Sequence, residues 1–204
     1  MKYFKHSFKF NKKGINFLSI ISIIGFIFGS IFILIITNSD KTLVKEYISS
    51  YIKSTNNIDY IPILFNNLSS NLLFILIVWI LGISIIGIPI NIFYLFFKNF
   101  TIGFTLTSFI LTYKIKGLLL GFFYLIPHNI INILTFIVIT YYSINFSFKL
   151  IYIIFKKESI NIKPIINRYF KILIFSIIII ILTSLYESFV IPNIFNKICK
   201  MLNI

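Results

Sequence analysis

A long apolar run without charge constrains this chain more than any other feature. Residues 71–97 read NLLFILIVWILGISIIGIPINIFYLFF and contain no Asp, Glu, Lys or Arg. Because an α-helix rises about 1.5 Å per residue, this run is long enough to cross the ~30 Å hydrocarbon layer of a bilayer. Hydrophobic residues make up 58% of the 204 residues and charged residues only 12%, which leaves too few charges to cover a soluble core. The chain is therefore predicted to be an integral membrane protein.

The apolar segments predict an all-α fold, a polytopic helical bundle in a single transmembrane domain that covers residues 1–204. Two segments are shorter than a full crossing, so 99–113 is predicted to be a short tilted span and 117–127 to dip back part-way. An alternative makes 99–113 re-entrant and splits 117–155 into two short crossings. The simplest solution has about five transmembrane helices, over residues 15–37, 71–97, 99–113, 130–155 and 172–191.

The distribution of lysine predicts which ends of the crossings face the cytoplasm. The first 13 residues carry five Lys and no acid, and residues 156–171 carry four Lys and one Arg against a single Glu. Both segments are therefore expected inside. The loop 38–70 balances three Lys against three acids and fits the outside. We expect a multi-pass protein of the cell membrane with a cytoplasmic N-terminus and an outside C-terminus.

The outer loop contains an amphipathic helix. Its sequence, DKTLVKEYISSYIK, has apolar residues at helical spacing, and such a stripe is expected either to lie on the lipid headgroups or to bind a partner protein. The candidate partner-binding residues on this stripe are Val44, Tyr47 and Tyr51.

The membrane segments contain few polar residues, and five are candidates for an intramembrane role: Pro89, Asn91, Pro127, His128 and Asn129. Pro89 is predicted to kink the second crossing, with Asn91 as its polar companion. The Pro-His-Asn sequence has two interpretations. It is either a structural break that caps the helix 130–155, or a substrate or proton site, because ionisable groups are expensive at membrane depth.

The sequence carries no pattern typical of an enzyme. Motifs for nucleotide binding, serine hydrolysis and zinc binding are absent, and Cys199 is the only cysteine. Glu187 is expected to be wetted at the outer end of the last span, so that an acid–base pair would require it to meet His128. We predict no catalytic residue, no metal and no cofactor. The net charge of +14 does not indicate nucleic-acid binding, because the lysines collect at the ends of apolar runs.

Glycines predict where helices pack closely. The chain has no Ala, so Gly and Ser must supply the close backbone approaches in the bundle. Packing within the chain is preferred over dimerisation for these positions, which are Gly25, Gly29, Gly82, Gly87, Gly117 and Gly121.

Residues 65–145 carry a more specific pattern. The residues that form it are an early Asn (Asn66, Asn67 or Asn71), a Gly-rich crossing (Gly82, Gly87, Pro89), an aromatic-and-Gly turn from Lys98 to Gly103, and a segment from Gly117 into Pro127 and His128. This pattern resembles the stage II sporulation protein M family. Broader relatives carry Gly after the His and an acid a few residues later, and Asn129 and Asn132 stand near those places here.

The resemblance implies a non-enzymatic membrane scaffold of endospore-forming bacteria. Its expected role is to assemble and localise peptidoglycan-degrading partners, similar to stage II sporulation proteins D and P, during engulfment of the forespore. Its expected contacts are membrane lipid and these proteins, without a nucleic acid or a small-molecule substrate. The alternative is a small transporter or channel subunit with a site near the broken Pro-His-Asn segment. A protein that affects lipid organisation is a third option.

Overall fold

Six α-helices form the regular structure of the computed structural model, which describes residues 12–54, 59–156 and 162–202. No strand occurs in these ranges, and the predicted all-α class is confirmed. The helices are α1 (Lys12–Ile35), α2 (Asn38–Ser54), α3 (Tyr60–Leu81), α4 (Gly87–Lys156), α5 (Lys163–Phe189) and α6 (Ile191–Leu202).

Helix α4 is two helices joined at a sharp bend. Lys114 has φ 54° and ψ −127°, so it divides α4 into two arms, which we name α4a (87–113) and α4b (115–156). The rings of Phe109 and Tyr124 lie 6.1 Å apart, and the ammonium of Lys98 lies 5.7 Å from the ring centre of Phe136. The two arms therefore run antiparallel.

Four stretches of the described chain are long and apolar enough to cross a membrane: Lys12–Ile35, Tyr60–Leu81, Gly87–Phe155 and Lys163–Leu202. At about 1.5 Å per residue, α4a is ~40 Å long and α4b ~63 Å, so each arm exceeds the ~30 Å hydrocarbon layer. The bundle therefore contains five helices of crossing length. Neither arm is the short span that the sequence predicted for 99–113.

The run 71–97, predicted to be one crossing, is two antiparallel helices. Helix α3 ends at Leu81 and α4a begins at Gly87, with a tight turn between them. Across this turn the rings of Phe74 and Tyr94 stack at 4.7 Å. The prediction was wrong because hydropathy measures how apolar a segment is and not the direction in which its chain runs.

The turn at 82–86 is made possible by hydrogen bonds from a neighbouring helix. The hydroxyl of Ser147 donates to the carbonyl oxygens of Gly82 at 2.7 Å and Ser84 at 3.2 Å. A Cβ atom at Gly87 would overlap the carbonyl oxygen of Leu81. Irregular backbone is tolerated in a membrane only where protein satisfies its polar groups, and Ser147 does this here.

Helix α4b continues through Pro127, in contrast to the predicted break. Residues 115–156 are helical throughout, with Pro127 inside, so 117–127 is not a separate re-entrant piece and His128 caps nothing. The side-chain amide of Asn129 donates to the carbonyl oxygen of Leu125 at 2.8 Å. Side-chain donors of this kind allow transmembrane helices to accommodate proline.

Glycines bring α1 and α4a into backbone contact. A Cβ atom built at Gly25 would lie 2.5 Å from the carbonyl oxygen of Phe96, and one at Gly29 would overlap that of Phe100. From the other side, Gly103 faces the carbonyl oxygen of Phe26 in the same way. The GxxxG pair of α1 therefore contacts the chain's own α4a.

The remaining core consists of two clusters. The central cluster joins α3, α4 and α5 around Phe74, Phe136 and Ile180. The second joins α2 and α6 to the bend of α4, through Ile48, Phe109 and Phe195. We call the second region the α2–α6 end of the bundle.

Candidate functional site

A buried ion pair joins α4b to α5. The Nε2 atom of His128 lies 3.3 Å from the Oε1 atom of Glu187, and the two side chains are 3% and 16% exposed. The sequence interpretation kept these residues apart and expected Glu187 to be wetted at the interface, which is wrong.

Helix α6 explains the depth of Glu187. The apolar chain does not end near residue 191 but continues as α6, which packs along the first turns of α4b. The rings of Tyr124 and Phe195 lie 4.9 Å apart, and the Lys116 ammonium donates to the carbonyl oxygen of Leu202 at 2.6 Å. Glu187 therefore lies below a layer of protein about as deep as α6 is long.

A third ionisable residue, Lys98, faces the same region. It lies 11 residues after Gly87, inside α4a, although the sequence interpretation put it at the end of a crossing. Its side chain is largely buried, and its ammonium is within electrostatic reach of Glu187. The central cluster supplies the ring of Phe136 beside it. The membrane-spanning bundle thus contains Lys98, His128 and Glu187 from three different helical segments.

Polar side chains surround the pair. The side-chain amide of Asn129 lies 3.0 Å from His128 Nε2. One helical turn along α4b, Asn132 accepts a hydrogen bond of 2.7 Å from the hydroxyl of Thr183 on α5. The contacts 128–187 and 132–183 therefore form two successive rungs between the same helices.

A pair of tyrosines links this region to α2. The hydroxyl oxygens of Tyr51 and Tyr124 lie 2.6 Å apart, and the Tyr124 ring meets that of His128 edge-on at 6.4 Å. Burial at the α2–α6 end raises the pKa of the Tyr51 phenol above its usual range, because a charged phenolate would lose its hydration there. Both faces of this contact therefore remain hydroxyl groups at neutral pH.

The arrangement suits proton chemistry better than metal binding. No group of three or more His, Cys, Asp or Glu side chains is close enough to hold a metal ion in the described part of the chain. His128 and Glu187 are one base and one acid in contact, which is an arrangement that can hold or pass a proton.

The predicted partner-binding residues lie on both sides of α2. Val44 and Tyr51 are half-buried against the α2–α6 end, where Ile48 points into the core. Tyr47 is 73% exposed. Much of the apolar stripe therefore packs on the protein's own helices. The same helix borders a groove of about 620 Å³ against α4a, lined in part by Leu43, Tyr47, Phe104 and Ser108.

The remaining predicted site residues have structural surroundings. Asn91 is fully buried and donates to the Ser143 hydroxyl at 2.7 Å and to the Val78 carbonyl oxygen at 3.3 Å. Pro89 lies in the first turn of α4a, where a missing N–H costs no helical hydrogen bond, so it does not kink a crossing.

The other predicted packing glycines contact neighbouring segments of the chain. Gly82 faces the side chains of Tyr169 and Ser143. Gly117 faces the backbone of Phe109, and Gly121 faces the side chain of Leu106.

Comparison with known proteins identifies the family. The curated proteins contain no match to this chain, and neither do the solved structures. The family model described as stage II sporulation protein M matches residues 18–192, which include the five helices of crossing length from Leu18 onward and the whole of the ionisable cluster. The chain therefore belongs to the stage II sporulation protein M family, as its sequence pattern predicted, and is a sporulation-related multi-pass membrane protein.

Proposed function

We propose that the protein is a non-enzymatic scaffold that holds and localises peptidoglycan-degrading proteins during engulfment of the forespore. The observation that carries this proposal is the exposed apolar side of α2. Leu43 and Tyr47 are 63% and 73% exposed, on a helix whose opposite face is fixed by Ile48 and Ile52. A rigid helix that presents apolar side chains beside a groove is suited to binding a protein partner.

Orientation supports this role. Lys12 and Lys13 begin α1 after an N-terminal arm that is rich in lysine, so the positive-inside tendency favours a cytoplasmic start. Five crossings from there put the α2–α6 end on the outside, where the cell wall lies. The C-terminal helix α6 is then outside as well.

The partners proposed for this surface are proteins that resemble stage II sporulation proteins D and P. An apolar side chain of such a partner fits the groove of about 620 Å³ between α2 and α4a, with Tyr47 on its rim. Aromatic residues at the edge of a concave apolar site are typical of binding hot spots.

The transporter alternative loses its original support. It depended on a broken helix around Pro127, and α4b is continuous through this residue.

Pulldown from cells early in sporulation tests the scaffold. The variants Leu43→Glu and Tyr47→Glu are expected to reduce recovery of the peptidoglycan-degrading partners at least tenfold and to block engulfment, while the membrane level of the protein stays unchanged. Lys45→Glu is the matched control, because this exposed residue lies on the opposite flank of α2 and its substitution adds even more negative charge. Full recovery of the partners with both test variants, together with normal engulfment, would refute the proposed surface.

A further inference from the structure

Three ionisable side chains meet at one depth in the bundle. Counted from the bend at Lys114, Lys98 lies 16 residues back along α4a and His128 lies 14 residues forward along α4b. At helical rise these positions are ~24 Å and ~21 Å from the bend. Glu187 joins them from α5. Ionisable groups at such depth are costly, and they generally mark proton or ion sites.

The charges of the cluster favour binding of one proton. Lys98 and Glu187 balance each other when His128 is neutral. The carboxylate of Glu187, 3.3 Å from His128, can then stabilise an imidazolium when a proton arrives. The Nδ1 atom of His128 and the Oε2 atom of Glu187 are buried without a hydrogen-bond partner among the described residues. Each is therefore an additional position at which a proton can be held.

A route to this cluster leads from the α2–α6 end. The Tyr124 ring touches His128, and its hydroxyl lies 2.6 Å from that of Tyr51. Both tyrosines line the groove between α2 and α4a, together with Ser108. Hydroxyl groups in such a series can relay a proton from water in the groove to the imidazole.

We propose that Lys98, His128 and Glu187 form a proton-binding site in the membrane-spanning bundle, and that its occupancy sets how firmly α5 and α6 are held on α4b. A proton on His128 converts its contact with Glu187 into a charge-assisted hydrogen bond, which is stronger than the neutral one. Because α6 follows α5 directly and packs on Tyr124 through Phe195, a tighter contact at Glu187 also holds α6 in place.

Few other titratable groups face the site. Helix α2 contributes Tyr47 and Tyr51, α4a contributes Lys98, and α4b contributes Tyr124. Helix α6 carries the buried thiol of Cys199 in the adjoining cluster. The described ionisable residues of α1 are at its first turn, and Tyr60 of α3 bonds to Asn193.

Histidine NMR on the full chain in nanodiscs tests proton binding directly. The chain has two histidines, His6 and His128, so a His6→Asn background leaves one ring signal. We expect this signal to titrate between pH 5 and 8, and Glu187→Gln or Lys98→Met to displace its titration by about 1–3 pH units. A ring that does not titrate, or that titrates identically in all three proteins, overturns the site.

Cys199 is a natural reporter of the coupling, because it is the only cysteine and lies buried in α6. Its rate of maleimide labelling is compared between wild type and Glu187→Gln at the same pH, so that the thiolate fraction cancels. We expect the variant to react several-fold faster at pH 6 and the two rates to converge at pH 8.5. A ratio that does not change with pH overturns the coupling. Ser184→Ala, which alters the same helix without changing charge, is the control and is expected to give a constant ratio.

A relocated carboxylate separates the two parts of the proposal. Asn132 lies one turn after His128 on α4b, so Asn132→Glu combined with Glu187→Gln returns an acid to the histidine from its own helix. This double variant is expected to restore the histidine titration and to leave Cys199 as reactive as in Glu187→Gln. Restored protection of Cys199 would show that the contact between α4b and α5 is not what holds α6.

Discussion

Replacing Gly29 with alanine is expected to separate α1 from α4a and to destabilise the bundle. Real Cβ atoms essentially never approach another atom within 3.0 Å, yet a Cβ at Gly25 would lie 2.5 Å from the Phe96 carbonyl oxygen. Relief at that position requires a shift of about 0.5 Å, and Gly29, whose Cβ would overlap the Phe100 oxygen, requires more. The obstacle is backbone, which moves only if a whole helix moves.

The expected cost of this shift follows from what the crossing holds together. Separation of the helices loosens the stacking of Phe32 on Phe100 at 5.5 Å and of Phe28 on Phe96 at 6.1 Å. Overpacking of a close-packed contact costs about 1–3 kcal/mol. For a chain of this size, each kcal/mol corresponds to ~2–4 °C in the midpoint of thermal unfolding. We therefore expect Gly29→Ala to lower the midpoint in detergent by roughly 2–12 °C.

Gly121→Ala is the matched control for this measurement. A Cβ atom there would lie 2.5 Å from Cδ1 of Leu106, which is the end of a flexible side chain that can rotate away. Its midpoint is expected to change by no more than ~2 °C, because no helix has to move. If Gly121→Ala destabilises the protein as much as Gly29→Ala, the backbone contact between α1 and α4a does not limit the packing of the bundle.

Three further substitutions test contacts elsewhere in the bundle. Tyr51→Phe and Tyr124→Phe remove the same hydrogen bond, so each is expected to cost about 0.5–1.5 kcal/mol in thermal unfolding and the double variant less than the sum. Asn91→Leu removes two buried hydrogen bonds and is expected to cost about 1 kcal/mol in the same assay. Lys116→Met frees the last carbonyl of α6, so trypsin is expected to cleave faster after Lys200 while the unfolding midpoint stays unchanged, because the contact is exposed. Equal effects of single and double tyrosine variants on unrelated contacts, an unaffected Asn91→Leu protein, or an unchanged cleavage rate would contradict the respective contact.

The sequence predicted the class of fold and the family but misplaced one helix end. Composition and segment length suffice to identify a helical membrane bundle, because the bilayer requires both. The turn at 82–86 was missed because its solvent is protein, so it needs no polar residues of its own. The close spacing of Gly82, Ser84 and Gly87 just before Pro89 was the available signal, since proline favours the first turn of a helix.

The ionisable cluster was missed for a related reason. Lysine usually marks the end of a transmembrane helix, so Lys98 was assigned to a boundary. In the structure it is inside α4a, where Phe136 and the charge of Glu187 accompany it. Partners 89 residues apart in sequence cannot be paired from one chain by hydropathy or periodicity. The same separation hid the contact between His128 and Glu187.

The position of the carboxylate explains why the cluster can act on the arrangement of helices. The resemblance implies an acid a few residues after the histidine, on the same helix, where this chain has Asn132. Here Asn132 bonds to Thr183, and Glu187, one turn further along α5, reaches His128. An acid and a base on one helix stabilise only that helix, whereas the same groups on two helices join them. In this protein the charge on His128 therefore acts on the contact between α4b and α5, and through α6 it reaches the surface proposed to hold the partners.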